Sequence, residues 1–158
     1  MFRNFLSNSQ INTFGFSTIF VISFNKLSLV FIKIFLLFDN FCNSMIRVAS
    51  QFVNLEECIG YEFWTQKNTR PSKWHYDKDE QLKGNENVVS FPLCSMIYYL
   101  IVENLDGGQL QVEDDIITPK TNRLVIFSPG KYHYVQPYTG TRISMLVNPW
   151  NRVLNKSN

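Results

Sequence analysis

One hundred and fifty-eight residues at 45% hydrophobic are enough for one domain with a substantial core and not for two. A formal net charge of +2 is close to neutral, which excludes a field strong enough to argue for nucleic-acid binding. Cys42, Cys58 and Cys94 are odd in number and form no CxxC pair, which argues against a disulfide framework and a zinc ribbon and fits a reducing, cytoplasmic interior.

The chain has two textures. Ten of its fourteen phenylalanines precede Met45, where Asp39 is the single acidic side chain. The run Gly15–Phe38 is strongly apolar, but Asn25, Lys26 and Lys33 interrupt it, and each unbroken piece falls short of the roughly 20 residues a spanning helix needs. No small-residue cleavage site follows Phe38. Residues 1–44 are therefore set apart as a hydrophobic N-terminal segment with three open readings: a strand or helix layer packed on the domain, an upstream segment without defined function, or membrane association. Residues 45–158 read as the functional domain.

From Met45 onward, Asn54-Leu55-Glu56-Glu57 predicts a helix start, with Asn54 as N-cap and Glu57 reaching back. Arg70-Pro71 ends any helix through Trp64. The polar stretch Lys78–Phe91 reads as a mobile loop closing with a short strand, Val88–Phe91. Further strands are predicted over Met96–Val102, Gln109–Val112, Arg123–Phe127, His133–Gln136 and Arg142–Val147. Turn chemistry separates them at Asp106-Gly107-Gly108, Pro119–Asn122, Ser128-Pro129-Gly130 and Tyr138-Thr139-Gly140. Short strands at even spacing predict a mainly β fold, an antiparallel sandwich or jelly roll.

The chain has two histidines, His75 and His133. On a strand, His75 and Asp77 share a face, so an imidazole and a carboxylate converge. A second imidazole from a distant strand, His133, completes a facial set of three that suits non-haem Fe(II). HxD alone is a weak signal, since such tripeptides arise by chance. Arg142 follows His133 by nine positions (142 − 133), and a short turn between two strands aims both at one cavity. Its guanidinium is a permanent charge shaped to hold a carboxylate in two parallel hydrogen bonds, and Ser144 faces the same side.

Over residues 70–150 the chain resembles the 2-oxoglutarate and Fe(II)-dependent dioxygenases, in particular their prolyl 4-hydroxylase-like branch. The resemblance rests on His75-Tyr76-Asp77, Ile97-Tyr98-Tyr99-Leu100, Gly107-Gly108-Gln109-Leu110, Leu124-Val125-Ile126-Phe127, and His133 with Arg142, in the family's order and spacing. It implies a double-stranded β-helix (jelly roll) with one or more flanking helices. It also implies iron held by His75, Asp77 and His133, and 2-oxoglutarate held by Arg142 with Tyr99 and Ser144. O2 and ascorbate are the other expected small molecules. Tyr98 is the alternative to Tyr99, because one of two adjacent strand residues faces inward. The implied activity is hydroxylation of a peptidyl or small-molecule substrate with release of succinate and CO2. Trp74, Tyr76 and Trp150 are candidates for the substrate mouth, and Gln109, where the family often has glutamate, is expected to face solvent. Base demethylases in the family tend to carry a second arginine six residues on, where this chain has Asn148. A metal-binding barrel without activity is the remaining alternative.

Overall fold

The computed structural model describes residues 10–13, 19–23, 34–67 and 72–154, those before Asp39 by their backbone alone. Strands β1 (Gln10–Thr13) and β2 (Ile19–Ser23) precede helix α1 (Ile34–Ala49), followed by β3 (Gly60–Gln66) and helix α2 (Glu80–Glu86). Then come β4 (Ser95–Gly107), β5 (Leu110–Val112), β6 (Asp115–Ile117), β7 (Arg123–Phe127), β8 (His133–Val135) and β9 (Tyr138–Trp150). They form a six-stranded sheet in the order β1-β2-β7-β4-β9-β3 and a three-stranded sheet in the order β6-β5-β8. All strand pairings are antiparallel.

The first half of β4 and the last half of β9 are buried on both faces of the large sheet, which is why these central strands read there as continuous apolar runs and not as clean alternation. One face meets the small sheet across a core of Ile97, Tyr99, Leu110, Val125, Phe127 and Leu146. The other face, with Met96, Tyr98, Leu124, Ile126, Met145 and Val147, packs on α1. Helix α1 supplies Cys42, Met45 and Ala49 to that contact, spaced by three and four residues so that one stripe faces the sheet. This helix runs across the change of texture at Met45, and β2 hydrogen-bonds β7, so the described part of the N-terminal segment lies against the barrel. Residues 1–9, 14–18 and 24–33 of that segment, and Arg70-Pro71, lie outside the described residues. No helix among the described residues is long and apolar enough to cross a membrane.

Several local expectations are corrected. Asn54 starts no helix; its side chain accepts from the Glu56 backbone N–H at 3.0 Å, an Asx turn. Trp64 lies on a strand, β3, because the register with β9 supplies hydrogen bonds that no local pattern announces. The stretch after Asp77 holds α2, capped by the Asp79 carboxylate on the Leu82 N–H at 2.9 Å and ended by Asn87 in the left-handed region. The Asp79 N–H donates to the Ser90 carbonyl at 2.9 Å, which closes this excursion, and Val88–Phe91 forms no strand. Strand β6 was not expected; a two-residue reversal at Glu113-Asp114 creates it, with Glu113 at φ +52°.

Tyr138-Thr139-Gly140 is not a free turn either. It lies inside β9, where the ladder with β4 slips between Glu103 and Asp106. Gly140 has φ +90°, and a Cβ there would meet the Asn104 carbonyl oxygen at 2.1 Å. Gly140→Ala is therefore expected to cost about 1–3 kcal/mol from backbone strain, with the clash in addition. Gly84→Ala, on a helix with nothing within 4 Å, is expected to gain up to about 1 kcal/mol. Denaturant midpoints of the two variants check this, and equal shifts would contradict it.

Candidate active site

The segment before Asp77 joins the small sheet through one two-way contact. His75 N–H donates to the His133 carbonyl at 3.0 Å, and His133 N–H donates back to His75 at 2.8 Å. Ser72 Oγ accepts from the Val135 N–H at 2.7 Å and keeps the segment in register. A directly opposed pair points its side chains to one face, so the two imidazoles stand together with centroids 4.3 Å apart. Pairing across the sheet, more than the local i, i+2 rule, brings the second histidine to the first.

Each ring is oriented the same way. His75 Nδ1 lies 2.7 Å from the Lys73 carbonyl and His133 Nδ1 lies 2.9 Å from the Lys131 carbonyl. A carbonyl only accepts, so Nδ1 carries the proton and Nε2 presents its lone pair, a tautomer assigned from the hydrogen bonds. Asp77 takes a hydrogen bond from Ser95 Oγ on Oδ2 at 2.6 Å, and its Oδ1 stands 3.9 Å from His133 Nε2. One ligand atom from each of His75, Asp77 and His133 lies within 4.8 Å of the others. His133 is buried, and burial lowers its pKa against the opposing pull of Asp77, which favours the neutral ring a metal requires. Ser95→Ala, which frees Asp77 Oδ2, is expected to weaken metal affinity roughly 10–100-fold, as measured by chelator competition. Unchanged affinity would remove the positioning role of Ser95.

Deeper in the barrel, Arg142 is 2% exposed, and its Nε and Nη2 have no hydrogen-bond partner. It lies over the Tyr99 ring at 5.1 Å and near that of Tyr138 at 5.9 Å. The Tyr99 hydroxyl and Ser144 Oγ are also buried without partners. Ser144 pairs with Tyr99 across β9 and β4, so both face the same interior. Tyr98 instead points at α1, edge-on to Phe41 at 4.9 Å, with its hydroxyl donating to Asn122 at 3.0 Å. The register thus decides for Tyr99 over Tyr98. Burial raises the Tyr99 pKa against the nearby Arg142 charge, so the phenol stays a donor. A buried guanidinium without a counter-charge costs several kcal/mol. Arg142, Tyr99 and Ser144 together make a donor set that fits one carboxylate.

The three mouth candidates fall elsewhere. Strand alternation around His75 turns Trp74 and Tyr76 to the opposite face, where Trp74 stacks near Tyr132 at 5.3 Å and Tyr134 at 4.2 Å, and Tyr76 meets Phe91 at 5.4 Å. Trp150 is 1% exposed, with its indole N–H on Glu62 Oε1 at 3.2 Å. Gln109 is half-buried, not solvent-facing, and its Oε1 is sealed without a partner. Sequence reasoning missed Ser95 and Glu62; neither lies in a motif, and only the cross-sheet neighbours reveal them. The cysteines are free, and burial pushes the Cys42 thiol up to about 11 and Cys94 up to about 12, so both stay thiols at neutral pH.

No curated protein matches the chain. A solved oxidoreductase of the 2OG-Fe(II) oxygenase family from Burkholderia pseudomallei is similar in fold, with a TM-score of 0.53 at 14% identity, covering 91% of this chain and 73% of that one. The family model for the 2OG-Fe(II) oxygenase superfamily matches residues 62–150, from β3 to the end of β9. That match holds His75, Asp77, His133 and the Arg142 pocket together on one jelly roll, and on it the chain belongs to the 2OG-Fe(II) oxygenase superfamily.

Proposed function

We propose that the protein is an Fe(II)- and 2-oxoglutarate-dependent hydroxylase of the prolyl 4-hydroxylase-like branch, acting on a peptidyl or small-molecule substrate in the cytoplasm. The observation that carries this reading is the group of unpartnered buried donors on Arg142, Tyr99 and Ser144 in the same jelly roll as a His-Asp-His set. When bound, the iron and 2-oxoglutarate supply oxidation of a C–H bond by O2, with succinate and CO2 as co-products.

The chain's own groups prepare that chemistry. His75, Asp77 and His133 would hold the iron with one donor atom each. Backbone carbonyls of Lys73 and Lys131 and the Ser95 hydroxyl fix those donors before any ion arrives. Arg142 would hold the far carboxylate of 2-oxoglutarate as a two-pronged donor, with Tyr99 and Ser144 adding hydroxyls. The apolar walls Ile97, Leu110, Val125 and Leu146 keep water from the pocket.

Succinate formed from 2-oxoglutarate under air, with Fe(II) and ascorbate as reductant, tests the reading. Release in the wild type and its loss in His75→Ala supports it. Wild-type protein that binds Fe(II) yet forms no succinate under any condition contradicts it and leaves a metal-binding barrel.

A further inference from the structure

Inward-facing residues of the large sheet form rows across its strands. Gln66, Ser144 and Tyr99 make one row, and Trp64, Leu146 and Ile97 make the next. The row after that begins with Glu62 paired to Asn148. Met96 pairs with Val147, so one step along each strand sets Ser95 beside Asn148. Ser95 holds the Asp77 carboxylate, so this row runs from beneath the iron ligands to the sheet edge at β3. At about 4.8 Å per strand, Glu62 stands roughly 10 Å from Ser95.

Glu62 and Asn148 each keep one acceptor oxygen that no hydrogen bond among the described residues takes. Trp150 Nε1 at 3.2 Å and Asn148 Nδ2 at 3.5 Å both donate to Glu62 Oε1. A carboxylate only accepts, so the Asn148 amide must turn its nitrogen to Glu62 and its oxygen away. Asn148 is 1% exposed, and that Oδ1 has no partner. Among the described residues, no hydrogen bond to Glu62 Oε2 and no ion pair of Glu62 is found. Burial raises the Glu62 pKa against these two hydrogen bonds, and the Asp77 and Asp79 charges add to the rise. A donor with positive charge offsets that cost, and a neutral one does so less. Anchoring Trp150 needs only one acceptor oxygen, which leaves the second oxygen of the half-buried Glu62 open to another donor and the sealed Asn148 Oδ1 unexplained. Trp64, on the same face and 36% exposed, marks the open side of the row.

We infer that Glu62 and Asn148 read the substrate, selecting one that carries an ammonium or guanidinium group about a side-chain length from the carbon oxidised. The inference rests on the hydroxylase reading above and gives it a substrate class, a basic side chain. Arginine's fork can serve two acceptors at once, whereas a lysine ammonium binds as a point charge.

The probes are the N-acetyl amides of lysine, arginine, norleucine and glutamate, offered to the full chain. Ligand-observed NMR without iron reads binding, and succinate release with Fe(II), 2-oxoglutarate and air reads coupling. The lysine or arginine probe is expected to bind at least about 10-fold tighter than the norleucine probe, as a charged hydrogen-bonded pair does. In Glu62→Gln, which keeps an oxygen acceptor for Trp150, that ratio is expected to fall towards 1. Asn148→Ala is expected to lower it as well. Because the ratio is internal to each variant, it does not depend on how much of the variant folds. Equal binding of norleucine and basic probes, binding of none of them, or a preference that persists in Glu62→Gln overturns the inference. Basic-probe preference without succinate release in the wild type supports this site and sinks the hydroxylase reading instead.

Discussion

Asp77→Ala is expected to lower Fe(II) affinity by more than the roughly 10–100-fold that loss of an outer hydrogen-bond partner costs. The carboxylate is the single anionic member of the set formed with His75 and His133, and it is held in place by Ser95 at 2.6 Å. Without it the ion keeps two imidazoles and loses the charge that offsets its own. Succinate release is expected to disappear with the metal. Anaerobic titration against a competing chelator makes the measurement, with Ser95→Ala as the graded comparison. Equal Fe(II) affinity in Asp77→Ala and wild type would contradict the site assignment whatever happened to activity.

The second large effect is expected at Arg142. Removing half of a buried, hydrogen-bonded charge pair costs about 2–5 kcal/mol, so Arg142→Ala is expected to weaken 2-oxoglutarate binding by roughly 30- to 4,000-fold. Fe(II) affinity is expected to change far less, because Arg142 packs on the Tyr99 and Tyr138 rings and is not one of the three metal donors. Arg142→Lys is expected to recover only part of the loss, since one ammonium cannot reproduce the two-pronged contact. Tyr99→Phe, which removes one unpartnered hydroxyl, is expected to cost about 1–3 kcal/mol of the same binding. Calorimetry with a redox-inert divalent ion in place of Fe(II) separates binding from turnover. If Arg142→Ala lost iron and 2-oxoglutarate equally, the pocket would have to be reassigned.

These two variants divide the site much as sequence and fold divide it. The HxD spacing, the arginine nine positions past His133 and the turn at Gly107-Gly108 are local patterns, and local rules of strand alternation and turn chemistry suffice to read them. Strand β7 was predicted with its observed ends, Arg123–Phe127, because polar turns bound a compact apolar run. Helix α2 was missed: with no buried residue, its seven positions have no apolar stripe to betray it. Strand β3 was missed because its hydrogen bonds come from β9, whose paired residues lie 78 to 90 positions later in the chain.

By itself, then, the sequence determined the donor types, their order and the oxygenase resemblance, since each is a matter of residue identity and short spacing. Tertiary structure alone decided which donors meet. The two-way contact between His75 and His133 sets the imidazoles on one face, and the β4–β9 register turns Tyr99 inward and Tyr98 out. That register together with the β3–β9 register places Glu62 and Asn148 in the row beside Ser95, in no motif at all. A one-residue slip in a pairing would reverse the directions that pairing sets, and residues so far apart in sequence leave no local trace of the register they adopt.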